Sequence, residues 1–336
     1  MAGDVLVVGA GVVGLAAVFE LSRAGHRVRV LSADVPGSRQ SSGLSRIFRL
    51  SHPDGALTDA AARSLELWGA WETLAGEALL DRVGLLLTGD MSDRDIHLES
   101  YGGLRRVSGA RHPLAVAQDA WWFEPTGAAI HAEDTVRFLQ SGVDLELGEA
   151  ASVDRRGATL AGGERLDAER VVVCAGPDTY RLLGLAEPAR MRSVRFSFAL
   201  REPLESPAPC WIHRDPELCE PFYAVMDGPD HYSVGLSEAA SAEVPEAEHV
   251  RDAYRRILAI VARVFPGLEP IAERVIACEF PARSDSVHGA LAHDGWEMRE
   301  HDGVLGVAGP SLFKFAPLLG RLVAERLDTP RASSST

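Results

Sequence analysis

A short apolar, β-branched run, Asp4-Val-Leu-Val-Val8, leads directly into Gly9-Ala-Gly-Val-Val-Gly14. Leu15-Ala-Ala-Val-Phe-Glu-Leu-Ser-Arg-Ala24 follows with helical periodicity, Gly25 ends it, and Arg27-Val-Arg-Val-Leu31 is a second strand. This order of strand, glycine turn, helix and strand is the context in which G-x-G-x-x-G carries information. The glycines give a tight turn, a close approach of the backbone to a ligand, and room for the helix to pack on the strand. The helix N-terminus then presents amide N–H groups and a positive dipole end to a pyrophosphate. A dinucleotide site of this kind usually carries a carboxylate for the ribose at the end of the second strand. Ser32 stands there, with Asp34 two residues on, either as its substitute or as a turn residue in Asp34-Val-Pro-Gly37.

The rest of the chain narrows the class. Its 336 residues are too many for one small core and suit two domains. A formal charge of -14 argues against a nucleic-acid partner, which needs a basic face. No apolar run of about 18 residues is present, so no membrane span is expected. Cys174, Cys210, Cys219 and Cys278 lack metal-ligand spacing, and no metal is expected. The start, Met1-Ala-Gly-Asp, has no basic stretch of a signal peptide, and a reduced, cytoplasmic protein is expected.

Lys314 is the one lysine among 34 basic residues. It lies in the apolar segment Gly306-Val-Ala-Gly-Pro-Ser-Leu-Phe-Lys-Phe315, which suits a lysine at work inside a site. Arg170-Val-Val-Val-Cys-Ala-Gly-Pro177 and Asp302-Gly-Val-Leu-Gly-Val-Ala-Gly309 read as strands with glycine exits. A helix opened by a proline, Ala316-Pro-Leu-Leu-Gly-Arg-Leu-Val-Ala-Glu-Arg326, follows the second. Phe196–Leu200, Phe222–Met226 and His231–Gly235 read as strands of a further sheet, and Glu246–Val264 as an amphipathic helix.

The order and spacing of four segments carry a resemblance. They are the N-terminal fingerprint, Ser41-Ser-Gly-Leu-Ser-Arg-Ile-Phe-Arg-Leu50, Ala61-Ala-Arg-Ser-Leu-Glu-Leu-Trp68, and Cys278-Glu-Phe-Pro281 with Gly309-Pro-Ser-Leu-Phe-Lys-Phe315. Phe123-Glu-Pro-Thr-Gly-Ala-Ala-Ile-His131 adds weaker support. The chain resembles the D-amino acid oxidase-like flavoproteins, and most closely the branch of monomeric sarcosine oxidase and N-methyltryptophan oxidase. The resemblance implies an α/β fold, α+β overall. A discontinuous Rossmann-like FAD-binding domain would comprise residues 1–78, 126–191 and 285–330. A substrate domain with a mixed or antiparallel sheet would comprise 79–125 and 192–284, with a disordered tail at 331–336.

The same resemblance implies FAD contacts at Gly9, Gly11, Val12, Val13, Gly14, Ser32, Ala33, Ser41, Arg46, Val153, Ala175, Gly176, Gly309, Leu312, Phe313 and Lys314. Arg46 would lie close to the isoalloxazine ring. Arg49 and Lys314 would hold a substrate carboxylate, and Tyr223, Phe280, Trp211 and His288 are candidates for the pocket wall. Cys278 matches the cysteine that bonds to the flavin 8α-methyl in this branch, although Glu279-Phe280-Pro281 departs from its tyrosine–threonine continuation. A buried, inert cysteine is the other reading.

The branch also carries a second lysine that helps O₂ take electrons. The matching strand, His231-Tyr-Ser-Val-Gly-Leu-Ser237, has none, with Ser233 or Ser237 near that position. His231, His213 or an arginine are the remaining sources of charge. The implied reaction is FAD-dependent oxidation of the C–N bond of a small carboxylate-bearing amine to an imine. Hydride passes to flavin N5, and O₂ is the expected acceptor, giving H₂O₂. The alternatives are an amino acid dehydrogenase with another acceptor, an enzyme acting on an N–N or N–O bonded amino acid, and a non-catalytic flavin-binding protein. A monomer is expected.

Overall fold

The computed structural model describes residues 4–91, 97–108, 112–116, 120–215, 217–282 and 294–329. His288 and the tail at 331–336 lie outside the described residues. The chain is mixed α/β and divides into two compact units, the first comprising Met1–Ser41, Val136–Pro188 and Pro281–Thr336, the second Ser42–Thr135 and Ala189–Phe280.

The first unit is built on a sheet of six strands. Their order is Glu297–His301, Val304–Ala308, Arg170–Val173, Asp4–Val8, Arg27–Ser32 and Asp144–Leu147. All neighbours run parallel except the antiparallel pair formed by the first two. Strands covered on both faces read as continuous apolar runs, and Val5, Leu6 and Val7 are buried accordingly. The helix Val12–Arg23 lies against the helix Ala316–Asp328. Two ion pairs tie them: Glu20 with Arg321 at 3.1 Å, and His26, at the turn after the first helix, with Asp328 at 3.0 Å. A small antiparallel sheet, Ala150–Asp154, Gly157–Leu160 and Arg165–Asp167, shares the apolar cluster formed with Leu6, Val8 and Val171.

The second unit holds a nine-stranded sheet. The strands Arg190–Leu200, His231–Leu236, Phe222–Met226, Cys210–His213 and Leu85–Thr88 are consecutive in it. Leu268–Pro281 pairs with Arg190–Leu200. Successive side chains of a strand face opposite sides. One face carries Val194, Phe196, Phe198, Phe222, Tyr232 and Val234, packed with Ile257, Ile260 and Val261 of the helix Glu246–Val264. The other face carries Leu85, Leu87, Ile212 and Val225, packed with Ala129 and Ile47. Those two residues belong to a small ladder, Ser45–Phe48 with Ala128–His131 and Leu80–Asp81. That packing, and the pairing of Leu80–Asp81 with Ala128–His131, go with the membership of residues 42–78 and 126–135 in the second unit, whereas the sequence reading grouped them with the nucleotide domain.

Buried among the aromatic residues of this core is His112. Its Nδ1 accepts the Leu114 amide at 3.2 Å, and its Nε2 lies 3.0 Å from the Tyr232 hydroxyl, which itself donates to the Pro209 carbonyl. This arrangement fits only the neutral ring, and burial pushes the His112 pKa down from 6.5 to about 4. The unfolded chain therefore binds the extra proton first as pH falls. Stability is full above pH 6.5 and declines through that window toward pH 4. By pH 4.5 the loss should reach roughly 2–3 kcal/mol. Urea melts at pH 7 and 4.5 should show that loss and a flatter dependence in His112→Gln; an identical slope in the variant would remove His112 as its source.

Candidate active site

In the first unit, the loops at the C-terminal ends of the parallel strands gather the glycine segment, residues 40–41, 174–176 and 309–315. The Val12 amide, first in its helix, donates to Ser41 Oγ at 2.9 Å. Gln40 reaches the Gly309 carbonyl at 3.5 Å, and its Oε1 lies 3.5 Å from where a Cβ on Gly176 would stand. Ala175 precedes that glycine in the same loop. Three distant segments thus meet around one helix N-terminus, the place where open α/β sheets bind nucleotides.

The glycines have separable tasks. A Cβ on Gly14 would collide with the Gly9 carbonyl, so this glycine serves the packing of helix on turn. At Gly11 an added Cβ would meet only Ser41 Oγ, at 3.5 Å, so packing does not demand a glycine there. The N-cap residue Gly11 has no side chain to cap the helix, Ser41 Oγ takes only the Val12 amide, and the first turn holds no acidic residue. The amides of Val13 and Gly14 and the positive dipole end therefore suit a pyrophosphate. At the ribose position, Ser32 donates to the Asp34 carbonyl at 2.7 Å, and the Asp34 carboxylate pairs with Arg39. Ala33 sits between them at the strand exit. Val153 is partly buried in the small antiparallel sheet.

Leu312, Phe313 and Lys314 form a buried turn of 3-10 helix entered through Ser311, whose φ is 54°. Lys314 Nζ donates to Asp294 Oδ1 at 2.7 Å and to the Ser311 carbonyl at 3.2 Å. It also lies 5.0 Å from the centre of the Phe315 ring. The sequence reading supplied the lysine but not its buried carboxylate partner.

In the second unit, the strand Ser45–Phe48 presents Arg46 and runs into a buried turn that carries Arg49. Arg49 Nη1 donates to the Ser51 carbonyl. The turn is held by Glu124, whose carboxylate accepts the Leu50 and Ser51 amides and the Thr126 hydroxyl. Arg46 Nη1 and Arg195 Nη1 both donate to the Ser45 carbonyl, at 2.7 and 2.8 Å. Burial first, and the neighbouring Arg195 charge second, push the Arg46 pKa down to about 10; Cys278, Tyr223 and Asp227 oppose the shift. Two unit charges about 5 Å apart at an effective dielectric of about 20 repel by roughly 3 kcal/mol, so such a pair is held by its surroundings. One counter-charge is Asp227, which accepts from Ser45 Oγ at 3.0 Å and from Ser197 Oγ and lies 3.5 Å from Arg274.

This arrangement joins Arg46, Cys278 and Tyr223, which the sequence reading had named from separate segments. By strand alternation Phe280 shares the face of Cys278. It adds Arg195, which that reading missed. The signal was present: Arg195 and Ser197 alternate with Val194, Phe196 and Phe198, an arginine on the polar parity of an otherwise buried strand.

Three further candidates take core or surface positions. Trp211 is a core residue, fully buried and donating to Thr88 Oγ1 at 3.0 Å, because its parity faces the helix and not the polar side. His213 lies between Thr88 Oγ1 at 2.6 Å and the Asp215 carbonyl at 2.8 Å, and burial lowers its pKa, so it supplies no standing charge. His231 sits at the start of its strand, bound to Asp230 and Glu273, two carboxylates that offset its positive charge. Ser233 is buried and uncharged, across the ladder from Ser197, while Ser237 follows the end of the strand.

The chain thus has a largely parallel-sheet unit with a glycine turn at a helix N-terminus, and a mixed-sheet unit with a guanidinium pair. Residues 4–326 match the FAD dependent oxidoreductase family, DAO, and the chain belongs to this family. Comparison with curated proteins gives no match. Among solved structures, the fold is similar to NikD, an unusual amino acid oxidase essential for nikkomycin biosynthesis, in its open form. The TM-score is 0.81 at 20% identity, covering 98% of this chain and 95% of that one. Glycine oxidase from Geobacillus kaustophilus matches with a TM-score of 0.75 at 20% identity, over 98% and 96% of the two chains. L-proline dehydrogenase from P. horikoshii matches at 0.73 and 18% identity, over 97% and 93%. At these identities the likeness is one of fold. Among the described residues, no helix is long and apolar enough to cross a membrane.

Proposed function

We propose that this FAD dependent oxidoreductase oxidises the C–N bond of a small amine bearing a carboxylate, to an imine. The two guanidinium groups beside Cys278 and Tyr223 support this reading most directly, because they offer concentrated positive charge on one face of the substrate unit's sheet. When bound, FAD supplies the hydride acceptor. In the nucleotide unit, the helix N-terminus at Gly11 would hold the pyrophosphate, and Lys314, its charge offset by Asp294 at 2.7 Å, is the candidate ammonium for the carboxylate. In the substrate unit, Arg49 offers a guanidinium fork matched to a carboxylate. Holding the carboxylate orients the C–H that reacts and removes rotational freedom before the step. Nearby positive charge lowers the pKa of a substrate ammonium and so favours the neutral, oxidisable amine. Cys278, within electrostatic range of Arg46, is the proposed point of covalent flavin attachment.

A second reading has its own observation. Ser233 is uncharged and His213 is held neutral, so the position has no lysine and its neighbouring cation is Arg195, across the ladder from Gly235. Electrons would then leave to a carrier and not to O₂. Solved proteins of this fold include both named oxidases and a named dehydrogenase.

One experiment tests both. The purified yellow protein is mixed anaerobically with primary, N-methyl and cyclic amino acids and the flavin band is followed. Bleaching by one class is expected, and bleaching by none sinks the amine reading. Fast recovery in air with peroxide supports the oxidase, slow recovery the dehydrogenase. Acid precipitation of the same sample should leave the colour on the chain; colour released to the supernatant would exclude the Cys278 link.

A further inference from the structure

Arg46 is aimed by the main chain of its own segment. Its Nη2 donates to the Ser42 carbonyl at 2.5 Å and its Nη1 to the Ser45 carbonyl at 2.7 Å, where Arg195 Nη1 also donates at 2.8 Å. The segment between those carbonyls is packed closely. A Cβ on Gly43 would collide with Ile276 Cδ1 and stand 2.7 Å from Arg195 Nη2, and the φ of 95° is a glycine conformation. What fixes residues 42–45 therefore fixes the direction of the guanidinium. Two contacts come from outside the segment. The Leu44 carbonyl accepts the Ala132 amide at 2.8 Å, and the Ser45 hydroxyl donates to Asp227 Oδ1 at 3.0 Å. Asp227 is 1% exposed and follows the strand Phe222–Met226, with its own amide on the His231 carbonyl at 2.9 Å. Its Oδ2 accepts the Ser197 hydroxyl and lies 3.5 Å from Arg274 Nη2, which donates to the Asp227 carbonyl at 2.8 Å.

We propose that Asp227 is a positioning residue for Arg46: through the Ser45 hydroxyl it locks residues 42–45 and so sets where the guanidinium points. The positioning rests on contacts within the second unit alone, and only the use of the aimed charge rests on the amine-oxidising reading. A buried carboxylate is costly unless its oxygens are bonded, and here both are. An amide would not serve as well, because it has one acceptor oxygen for two serine hydroxyls and would turn N–H groups toward Ser197 or Arg274. The carboxylate thus ties the strand that carries Arg46 to Arg190–Leu200 and Leu268–Pro281, which hold Ser197 and Arg274. Groups held in this way by their surroundings keep a charged side chain in one direction before a substrate arrives.

The test compares Asp227→Ala, Ser45→Ala and Ser197→Ala in the flavin-loaded protein. Ser45→Ala cuts the tie to Arg46 and leaves Asp227 with Ser197 and Arg274. Ser197→Ala removes the other hydroxyl bond of the same carboxylate and leaves the tie in place. Amide hydrogen exchange of residues 42–46 is read by mass spectrometry, and kcat/KM is measured on the amine that bleaches the parent's flavin. In Asp227→Ala and Ser45→Ala exchange should quicken, and kcat/KM fall, by about tenfold or more, while both hold within about twofold in Ser197→Ala. Equal changes in all three variants would mean a carboxylate that only stabilises the sheet, and overturn the proposal. Parent values in Ser45→Ala, or faster exchange with unchanged kcat/KM, overturn it as well. Should Asp227→Ala fail to fold, the comparison of Ser45→Ala with Ser197→Ala decides alone. A parent whose flavin no amine bleaches refutes the amine-oxidising reading instead, and the exchange of residues 42–46 still decides the positioning.

Discussion

Lys314→Met should lower the stability of the protein by about 3–5 kcal/mol, because it strands a buried carboxylate. Lys314 is 5% exposed and its partner Asp294 lies 2.7 Å away, with a side chain only 12% exposed. Removing one member of such a pair leaves an uncompensated charge, whereas removing both charges together is often near neutral. Asp294→Asn alone should therefore also destabilise, and Lys314→Met with Asp294→Asn should return to within about 1 kcal/mol of the parent. Urea melts of the four proteins give the coupling directly. Additive losses in the double variant would mean that the two side chains are not coupled. The double variant also separates folding from binding. If Lys314 anchors the substrate, that protein folds and keeps its flavin but binds a carboxylate about tenfold more weakly. Parent-like affinity would leave Lys314 a structural role only.

The local parts of this arrangement were open to reading from sequence, and the non-local parts were not. The glycine turn at Gly9–Gly14 declares itself because its chemistry is contained in one strand–turn–helix stretch. Strands such as Phe222–Met226 and the helix Glu246–Val264 declare themselves through period-two and period-3.6 patterning. Lys314 stood out by its rarity, yet its charge partner Asp294 lies 20 positions away, just before the strand Glu297–His301. Arg195 reaches Ser45 across 150 positions of chain, and Glu124 reaches Leu50 across 74. Nothing in the spacing of those residues marks the pairing, because it follows from which strands lie side by side. The same cause places residues 42–78 in the second unit: Ile47 and Ala129, on strands paired with each other, pack on Leu85, Leu87, Ile212 and Val225 of the large sheet, which is tertiary packing and not local propensity.

Glu124 carries the second large expectation. Its carboxylate is 1% exposed and accepts two backbone amides, Leu50 and Ser51, and the Thr126 hydroxyl. Amides buried without an acceptor cost about 1–3 kcal/mol each, and bonds to a charged acceptor lie at the upper end. Glu124→Ala should thus lose roughly 3–5 kcal/mol, or about 10 °C in Tm. Glu124→Gln, which keeps an acceptor oxygen of the same reach, should lose about half as much. The functional effect follows from what the turn carries. Arg49 is itself buried here, with Nη1 on the Ser51 carbonyl, so a loosened turn releases the guanidinium from its set direction. In Glu124→Ala, KM for a carboxylate-bearing amine should then rise about tenfold or more while flavin content stays at parent level, since the nucleotide unit is built from other segments. A variant that melts like the parent would mean that solvent replaces Glu124 at those amides. One that melts early yet keeps its KM would mean that Arg49 is positioned by contacts other than this turn.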